Sequence, residues 1–131
     1  MTLADLNEHY ALGEKLIKVQ TLIQSLRART LGAVNMDGMP HGTGVSDRVG
    51  DLALEIVELE AREKYLYAEV RENEAEIIEF IEGIEDDHTR TIFRLRFIRF
   101  MSWSDVADTV GGNTEDSVKK ICYRYFDKFV P

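Results

Sequence analysis

The 131-residue chain is poor in cysteine, in proline and in long apolar runs. Its single cysteine, Cys122, cannot form an internal disulfide, and its apolar and aromatic neighbours predict a buried thiol. No apolar run approaches the ~18 to 20 residues that span a membrane. The first residues, MTLADLNEHY, contain acids and no basic segment, so they do not predict a signal peptide. We therefore expect a cytoplasmic protein without a membrane partner.

Sequence patterns of catalysis and metal binding are also missing. The histidines His9, His41 and His88 are far apart, and no nucleophile–base spacing, HExxH or CxxC pattern occurs. The glycine-rich segment lacks the GK[ST] of a nucleotide-binding loop. Asp37, His41 and Asp47 have the chemistry of metal ligands, but their spacing fits no standard site. We expect no enzyme activity, no cofactor and no metal centre.

The net charge of −8 is unevenly divided along the chain. Residues 1–87 carry 19 acids and 8 bases, a net of −11, whereas residues 88–131 carry 5 acids and 8 bases, a net of +3. Only the C-terminal third has the sign that a phosphate backbone attracts. The acidic remainder repels nucleic acid, which should keep non-specific binding weak.

Two long segments show the three-four apolar spacing of coiled coils. The first covers about residues 3–29, with its stripe at Leu12, Leu16, Val19, Ile23 and Leu26. The second covers about residues 47–83, and its stripe continues from Val49 to Ile84. Together they predict an antiparallel coiled-coil hairpin within residues 1–84. Asn73 lies on the second stripe, either as a register-setting contact or at the open end of the hairpin in water.

Residues 30–47 join the two segments and are predicted to form a loop. Four glycines and a proline fall in this stretch, which has almost no periodicity. A loop of this length is longer than most helix–helix connections, which favours a specific role. Two interpretations stay open: a turn that holds the start of the second helix, or a partner-binding loop.

Residues 85–131 predict a three-helix domain with the helix-turn-helix pattern. A helix over 88–100 is followed by a short helix over 103–110 and by one from about Thr114. Asp86 or Asp87, Ser102, and Asn113 or Thr114 are the expected N-caps. Gly111 and Gly112 supply the turn, and the inner stripe of the last helix is predicted at Val118, Cys122, Tyr125 and Phe129. In this pattern the last helix enters the DNA major groove, although a plain three-helix bundle has the same connectivity.

The run RTIFRLRFIRFMSWSDVADTVGG, from Arg90, resembles region 4 of the sigma-70 family of RNA polymerase factors. Val106-Ala107 and Val110-Gly111 match its I-A-x-x-L-G core, and residues 114–120 match its cap-x-x-x-V-basic pattern. Six residues separate Gly111 from Val118 where the family usually has five, so the turn is longer. Nothing in the chain resembles the promoter-melting region, so a complete sigma factor is not expected.

Most of the chain also resembles small phage and prophage proteins of Gram-positive bacteria. The similarity lies in MPHGTGVSDRV, residues 39–49, and in the turn NTEDSV, residues 113–118. The resemblance implies a phage transcription regulator acting on late genes in the bacterial host cell. It implies binding to duplex DNA, with RNA polymerase as a candidate partner, and we expect a homodimer joined through the helical hairpin.

The resemblance places the DNA-binding residues on and before the last helix. They are Asn113, Thr114, Glu115, Asp116, Ser117, Lys119, Lys120, Tyr123 and Arg124. Asp116 either accepts from a cytosine amine or only favours the helix N-terminus. Arg94, Arg96 and Arg99 are candidate phosphate contacts or solvated surface. Trp103 is expected to be a core or lid aromatic rather than a residue that stacks on a base.

Two alternative functions fit parts of the pattern. A small terminase-like DNA-packaging protein also joins a helix-turn-helix to helical oligomerisation elements, but it usually has the DNA-binding part first. A coiled-coil interaction protein would use the acidic segment to bind a partner and would not bind DNA. The expected fold in every case is all-α, with a coiled-coil hairpin before a three-helix domain.

Overall fold

The computed structural model describes the backbone of residues 1–35 and 43–129, and the side chains of residues 1–31 and 48–128. In this part of the chain 88% of residues lie in helices and none lies in a strand, which confirms the all-α prediction. No helix among these residues is long and apolar enough to cross a membrane.

The first two helices are long. Helix α1 is Leu3–Asn35 and helix α2 is Thr43–Glu82. A reciprocal cap starts α1: the Thr2 hydroxyl accepts from the Asp5 N–H at 3.1 Å, and the Asp5 carboxylate accepts from the Thr2 N–H at 2.9 Å.

The predicted loop 30–47 is wrong at both ends, because residues 30–35 continue α1 and residues 43–47 begin α2. Leu31, Ala33 and Val34 are compatible with a helix, and a single glycine there costs only about 1 kcal/mol. The metal and partner-binding interpretations of this loop rest on residues 36–42 and on the Asp47 side chain, which lie outside the described residues.

Helix α3, Asp87–Phe93, continues into a π-helical turn over Arg94–Ile98. Its N-cap is Asp86, whose carboxylate accepts from the Thr89 N–H at 2.9 Å. The helix predicted over 88–100 is therefore α-helical only to Phe93 and ends in the π-helical turn. The wide turn is visible in the Arg99 N–H, which donates to the Arg94 carbonyl at 3.0 Å, and Phe100 then has a positive φ of 58°.

Helices α4, Trp103–Val110, and α5, Glu115–Phe129, follow and pack on each other. The predicted N-cap Ser102 is confirmed, since its hydroxyl accepts from the Asp105 N–H at 3.1 Å. Thr114 caps α5 in the same way, accepting from the Ser117 N–H at 3.2 Å.

The chain divides into two compact units, and the first comprises residues 1–14 and 69–131. Its core takes side chains from the start of α1, from the end of α2 and from the helices that follow: Leu6, Ile77, Ile81, Ile84, Ile92, Phe93, Phe97, Trp103, Val106, Ala107, Val118, Cys122 and Phe126. Aromatic rings fill much of it, with Phe93 stacked on Phe126 at 5.9 Å between ring centroids.

The second unit comprises residues 15–68, which belong to α1 and α2. Its buried side chains include Leu16, Ile23 and Leu26 of α1 and Leu66 of α2. An ion pair of 2.6 Å joins Arg27 to Glu60 across the two helices.

The chain therefore divides differently from the predicted 1–84 and 85–131. Leu6 and Ile77 are fully buried in the same core as Phe93 and Val106, so the beginning of α1 and the end of α2 belong with the C-terminal helices. Hydrophobic periodicity marks a buried face but cannot say which helix covers it. Asn73 is exposed, which fits its interpretation as a residue in water.

Candidate nucleic-acid interface

The turn between α4 and α5 is built from two glycines with positive φ angles. Gly111 has φ 70° and ψ 157°, and Gly112 has φ 68°. The conformation of Gly111 is adopted almost only by glycine. The Gly111 N–H donates to the Ala107 carbonyl at 3.0 Å and ends α4. The turn predicted at these two glycines is therefore present, and both have positive φ angles.

Asn113 is held inside this turn by its side chain. Its amide nitrogen donates to the Gly111 carbonyl at 3.1 Å, and its amide oxygen accepts from the Ser117 hydroxyl at 3.0 Å. The extra residue of the turn is thereby tied to the first turn of α5. Of the predicted DNA-binding residues, Asn113 and Ser117 already have partners within the protein.

Helix α5 has a buried face and a charged face. Val118, Cys122 and Phe126 are buried, whereas Tyr125 is only half-buried, so the predicted inner stripe is shifted by one residue near its end. The Phe129 side chain lies outside the described residues. Burial raises the pKa of the Cys122 thiol to about 12, which agrees with the buried position predicted for this cysteine.

Three charged side chains project from the opposite face at four-residue spacing: Asp116, Lys120 and Arg124. All three are exposed and form no side-chain hydrogen bond or ion pair with any residue that the structure describes. Thr114 and Glu115 are also exposed at the start of α5. This face presents cations, a carboxylate and a hydroxyl, which are groups that can hydrogen-bond to phosphates and to base edges.

Lys119 and Tyr123 lie beside this face and contact the protein. The Lys119 ammonium is 3.5 Å from the Glu115 carboxylate, and its side chain is 35% exposed. The Tyr123 ring meets Trp103 edge-on at 6.4 Å between centroids. Trp103 itself is buried, in agreement with the predicted core position.

Arg96 is predicted as a candidate phosphate contact, but its side chain packs against two aromatic rings instead. Its guanidinium carbon lies 3.4 Å from the centroid of the Tyr10 ring and 4.5 Å from that of Trp103. It also donates to the Met101 carbonyl at 3.1 Å. Burial lowers the pKa of Arg96 from its usual value. A guanidinium held between two rings is not available to a phosphate, which corrects the prediction for this residue.

The other two candidate phosphate contacts differ from each other. Arg94 donates from Nε to the Glu82 carboxylate at 3.0 Å, so its charge is already paired. Arg99 is exposed, and its side chain has no hydrogen-bond or ion-pair partner among the described residues. Of the three arginines, Arg99 is the one whose cation faces solvent unpaired.

The compact unit that contains α5 is strongly acidic as a whole. Residues 1–14 and 69–131 together carry 17 acids and 9 bases, a net of −8, whereas residues 15–68 carry 7 of each. The cations on the outer face of α5 are therefore a local exception on an acidic unit. Long-range attraction to a polyanion is weak in such a unit, so any DNA affinity must come from direct contacts.

His9 is a buried residue whose environment the sequence did not predict. It is 4% exposed, its ring lies 5.2 Å from that of Phe100, and its Nε2 has no hydrogen-bond partner within the described residues. Burial lowers its pKa, against the opposing effects of Glu74 and the Phe97 backbone. Nothing in the sequence around His9 signals this contact, because Phe100 is 91 positions away along the chain.

No protein-family model matches the chain, and neither a curated protein nor a solved structure is found to be similar to it.

Proposed function

We propose that the protein is a sequence-specific DNA-binding transcription regulator, in which α4 and α5 act as a helix-turn-helix and α5 enters the major groove. The observation that carries the proposal is the two-sided character of α5. Val118 and Cys122 anchor it in the core, while Lys120 and Arg124 face solvent unpaired on the other side. The capped α4, the glycine turn and the capped α5 hold that face rigidly.

The roles within the surface follow from what each side chain already contacts. Lys120 and Arg124 bind phosphates or guanine edges, and Asp116 is placed to accept from a cytosine amine. Arg99 supplies a phosphate contact outside α5. Asn113 and Ser117 shape the turn rather than read bases, since their polar atoms bond to each other.

The long helices form an antiparallel coiled-coil hairpin in this proposal. Support comes from contacts within each unit: Arg27, late in α1, pairs with Glu60, early in α2, while His9, early in α1, lies near Glu74, late in α2. The hairpin joins two copies, so that two α5 helices bind a palindromic site about one or two helical turns across. By resemblance the setting is late gene control in a phage or prophage, beside host RNA polymerase.

Selection of bound fragments from a random duplex library tests the proposal. A short palindrome should be enriched, because two symmetric copies present two identical recognition helices. A terminase-like protein would instead form a ring of eight or more copies and enrich no compact palindrome. A coiled-coil interaction protein would enrich nothing, and that result would contradict DNA recognition.

A further inference from the structure

The outer face of α2 carries a second apolar stripe that the described structure leaves exposed. Leu54, Val57 and Tyr65 are 66%, 63% and 62% exposed, and the two alanines at 61 and 68 are exposed as well. At 3.6 residues per turn these side chains lie within an arc of about 80°, on the side opposite the buried stripe. All belong to the unit of residues 15–68. Exposed apolar stripes of this kind mark interaction surfaces.

The side chains of this stripe fit a second copy of themselves when the two helices run antiparallel. With Ala61 at the centre, Leu54 of one copy lies opposite Ala68 of the other, and Val57 lies opposite Tyr65. Large residues then face smaller ones, and the two alanines at 61 allow the backbones to approach at the crossing point. A parallel pairing would instead place tyrosine on tyrosine and leave a gap between the alanines at 68.

The charged residues beside the stripe also favour an antiparallel pairing of the two helices. Glu58 and Arg62 border it on one side, and Glu60 and Lys64 border it on the other. In an antiparallel pair each side meets its own counterpart, so Glu58 faces Arg62 of the second copy, and Lys64 faces the Glu60 carboxylate that also pairs with Arg27. In a parallel pair the two sides exchange, and Glu58 would face Glu60. Charge complementarity of this kind sets helix orientation.

We propose that the protein dimerises through α2, with α2 of a second copy packed antiparallel on residues 54–68 around a two-fold axis at Ala61. The interface is isologous, so every contact occurs twice. The inference rests on the proposed dimer and identifies its surface and direction. It does not depend on DNA binding, because no residue of α5 takes part.

Mixing two single charge-reversal variants tests both the proposed α2 interface and its antiparallel direction. In a dimer of the Glu58→Lys variant, position 58 of each copy would place a cation opposite Arg62 of the other. In a dimer of the Arg62→Glu variant, position 62 of each copy would place a carboxylate opposite Glu58 of the other. Each should self-associate about tenfold more weakly than the wild type. Mixing the two should restore a dimer of twice the 15.0 kDa chain mass in light scattering, because both pairs are then opposite in sign.

The mixing design separates intermolecular from intramolecular effects. Residues 58 and 62 are also neighbours on one helix turn, and each single variant keeps its unfavourable internal pair in the mixture. Recovery on mixing can therefore come only from contacts between chains. Leu31→Lys, at a leucine that is 64% exposed on α1, is the control and should leave the dimer unchanged. A monomeric wild type, or no recovery on mixing, would overturn the proposal.

Cysteine cross-linking gives an independent measure of direction. Leu54→Cys alone should not link to itself, since the two sites would be about 21 Å apart along an antiparallel pair. A mixture of Leu54→Cys and Ala68→Cys should form a disulfide, and the buried Cys122, whose pKa is raised to about 12, should not compete. Self-linking of Leu54→Cys would show a parallel pair and would contradict the proposal. A stable dimer that binds no DNA would instead count against the DNA proposal alone.

Discussion

At the scale of single residues, the most informative side chains are those whose roles could not be inferred from their own segment. Arg96 lies between the rings of Tyr10 and Trp103, and His9 packs on Phe100. Gly13 belongs to the same cluster, because a Cβ added there would lie 2.1 Å from the Phe100 ring. These contacts join the start of α1 to the end of α3, and no pattern in either segment predicts them.

Replacing Arg96 should affect folding, whereas replacing Arg99 should not. Arg96→Ala removes two cation–π contacts and a half-buried side chain, so the free energy of unfolding should fall by about 1 to 2 kcal/mol. Arg99→Ala, at an exposed and unpaired arginine, should stay within about 0.5 kcal/mol of the wild type. Urea unfolding of both variants measures the difference, and equal stabilities would refute the packing role of Arg96.

His9 should make the protein less stable as the pH falls below neutrality. Burial lowers the pKa of His9 below the usual 6.5. The unfolded chain therefore binds a proton at this histidine near pH 6.5, whereas the folded chain binds it only at lower pH. Stability is therefore highest above pH 6.5 and decreases as the pH falls below it.

Urea midpoints measured above and below pH 6.5 test the role of His9. His9→Gln should remove most of the pH dependence, and His88→Gln, at an exposed histidine, should retain it. If His9→Gln kept the full dependence, the loss of stability would have another origin.

At the scale of helices, sequence patterns predict the starts of α3, α4 and α5 well, but they miss the start of α2 and most contacts between helices. Asp86, Ser102 and Thr114 all cap as predicted, because an N-cap depends on hydrogen bonds within a few residues. The predicted loop of 30–47 is too long, because Gly32 and Gly44 lie within the two helices and do not end them. The π-helical turn after Phe93 has no sequence signature and was not predicted.

The turn between α4 and α5 should tolerate no side chain at its first glycine. Gly111→Ala places a Cβ at φ 70° and ψ 157°, which costs on the order of 1 to 3 kcal/mol of stability. Gly83→Ala is the matched control, because its Cβ would make ordinary contact at 3.4 Å from the Phe80 carbonyl without a positive φ. Thermal unfolding should separate the two variants, and an unchanged melting temperature for Gly111→Ala would contradict the turn geometry.

At the scale of the whole molecule, the all-α class followed from periodicity, but the division into units did not. The predicted boundary at residues 84 and 85 follows the chain, whereas the structure groups residues 1–14 with 69–131. The candidate site was located by its glycine turn and its basic helix. Which cations are free could not be predicted, since the pairing of Arg94 with Glu82 spans 12 positions and depends on the fold.

The charge of the unit around α5 sets the expected salt dependence of DNA binding. A net of −8 provides little general attraction, so few phosphates should be neutralised and affinity should fall gently with salt. DNA affinity would then depend on direct contacts from a small number of side chains. Removing those side chains should therefore lose a large share of the binding free energy.

The affinity of a Lys120→Ala, Arg124→Ala double variant for the selected duplex tests the central claim, that the outer face of α5 binds DNA. Binding should weaken by on the order of tenfold or more, and the salt slope should fall by about two, with the circular dichroism spectrum unchanged. The control pair Lys15→Ala, Lys18→Ala removes the same charge from exposed positions of α1 and should bind as the wild type. Equal affinity of both double variants would contradict the assignment of α5 as the recognition helix.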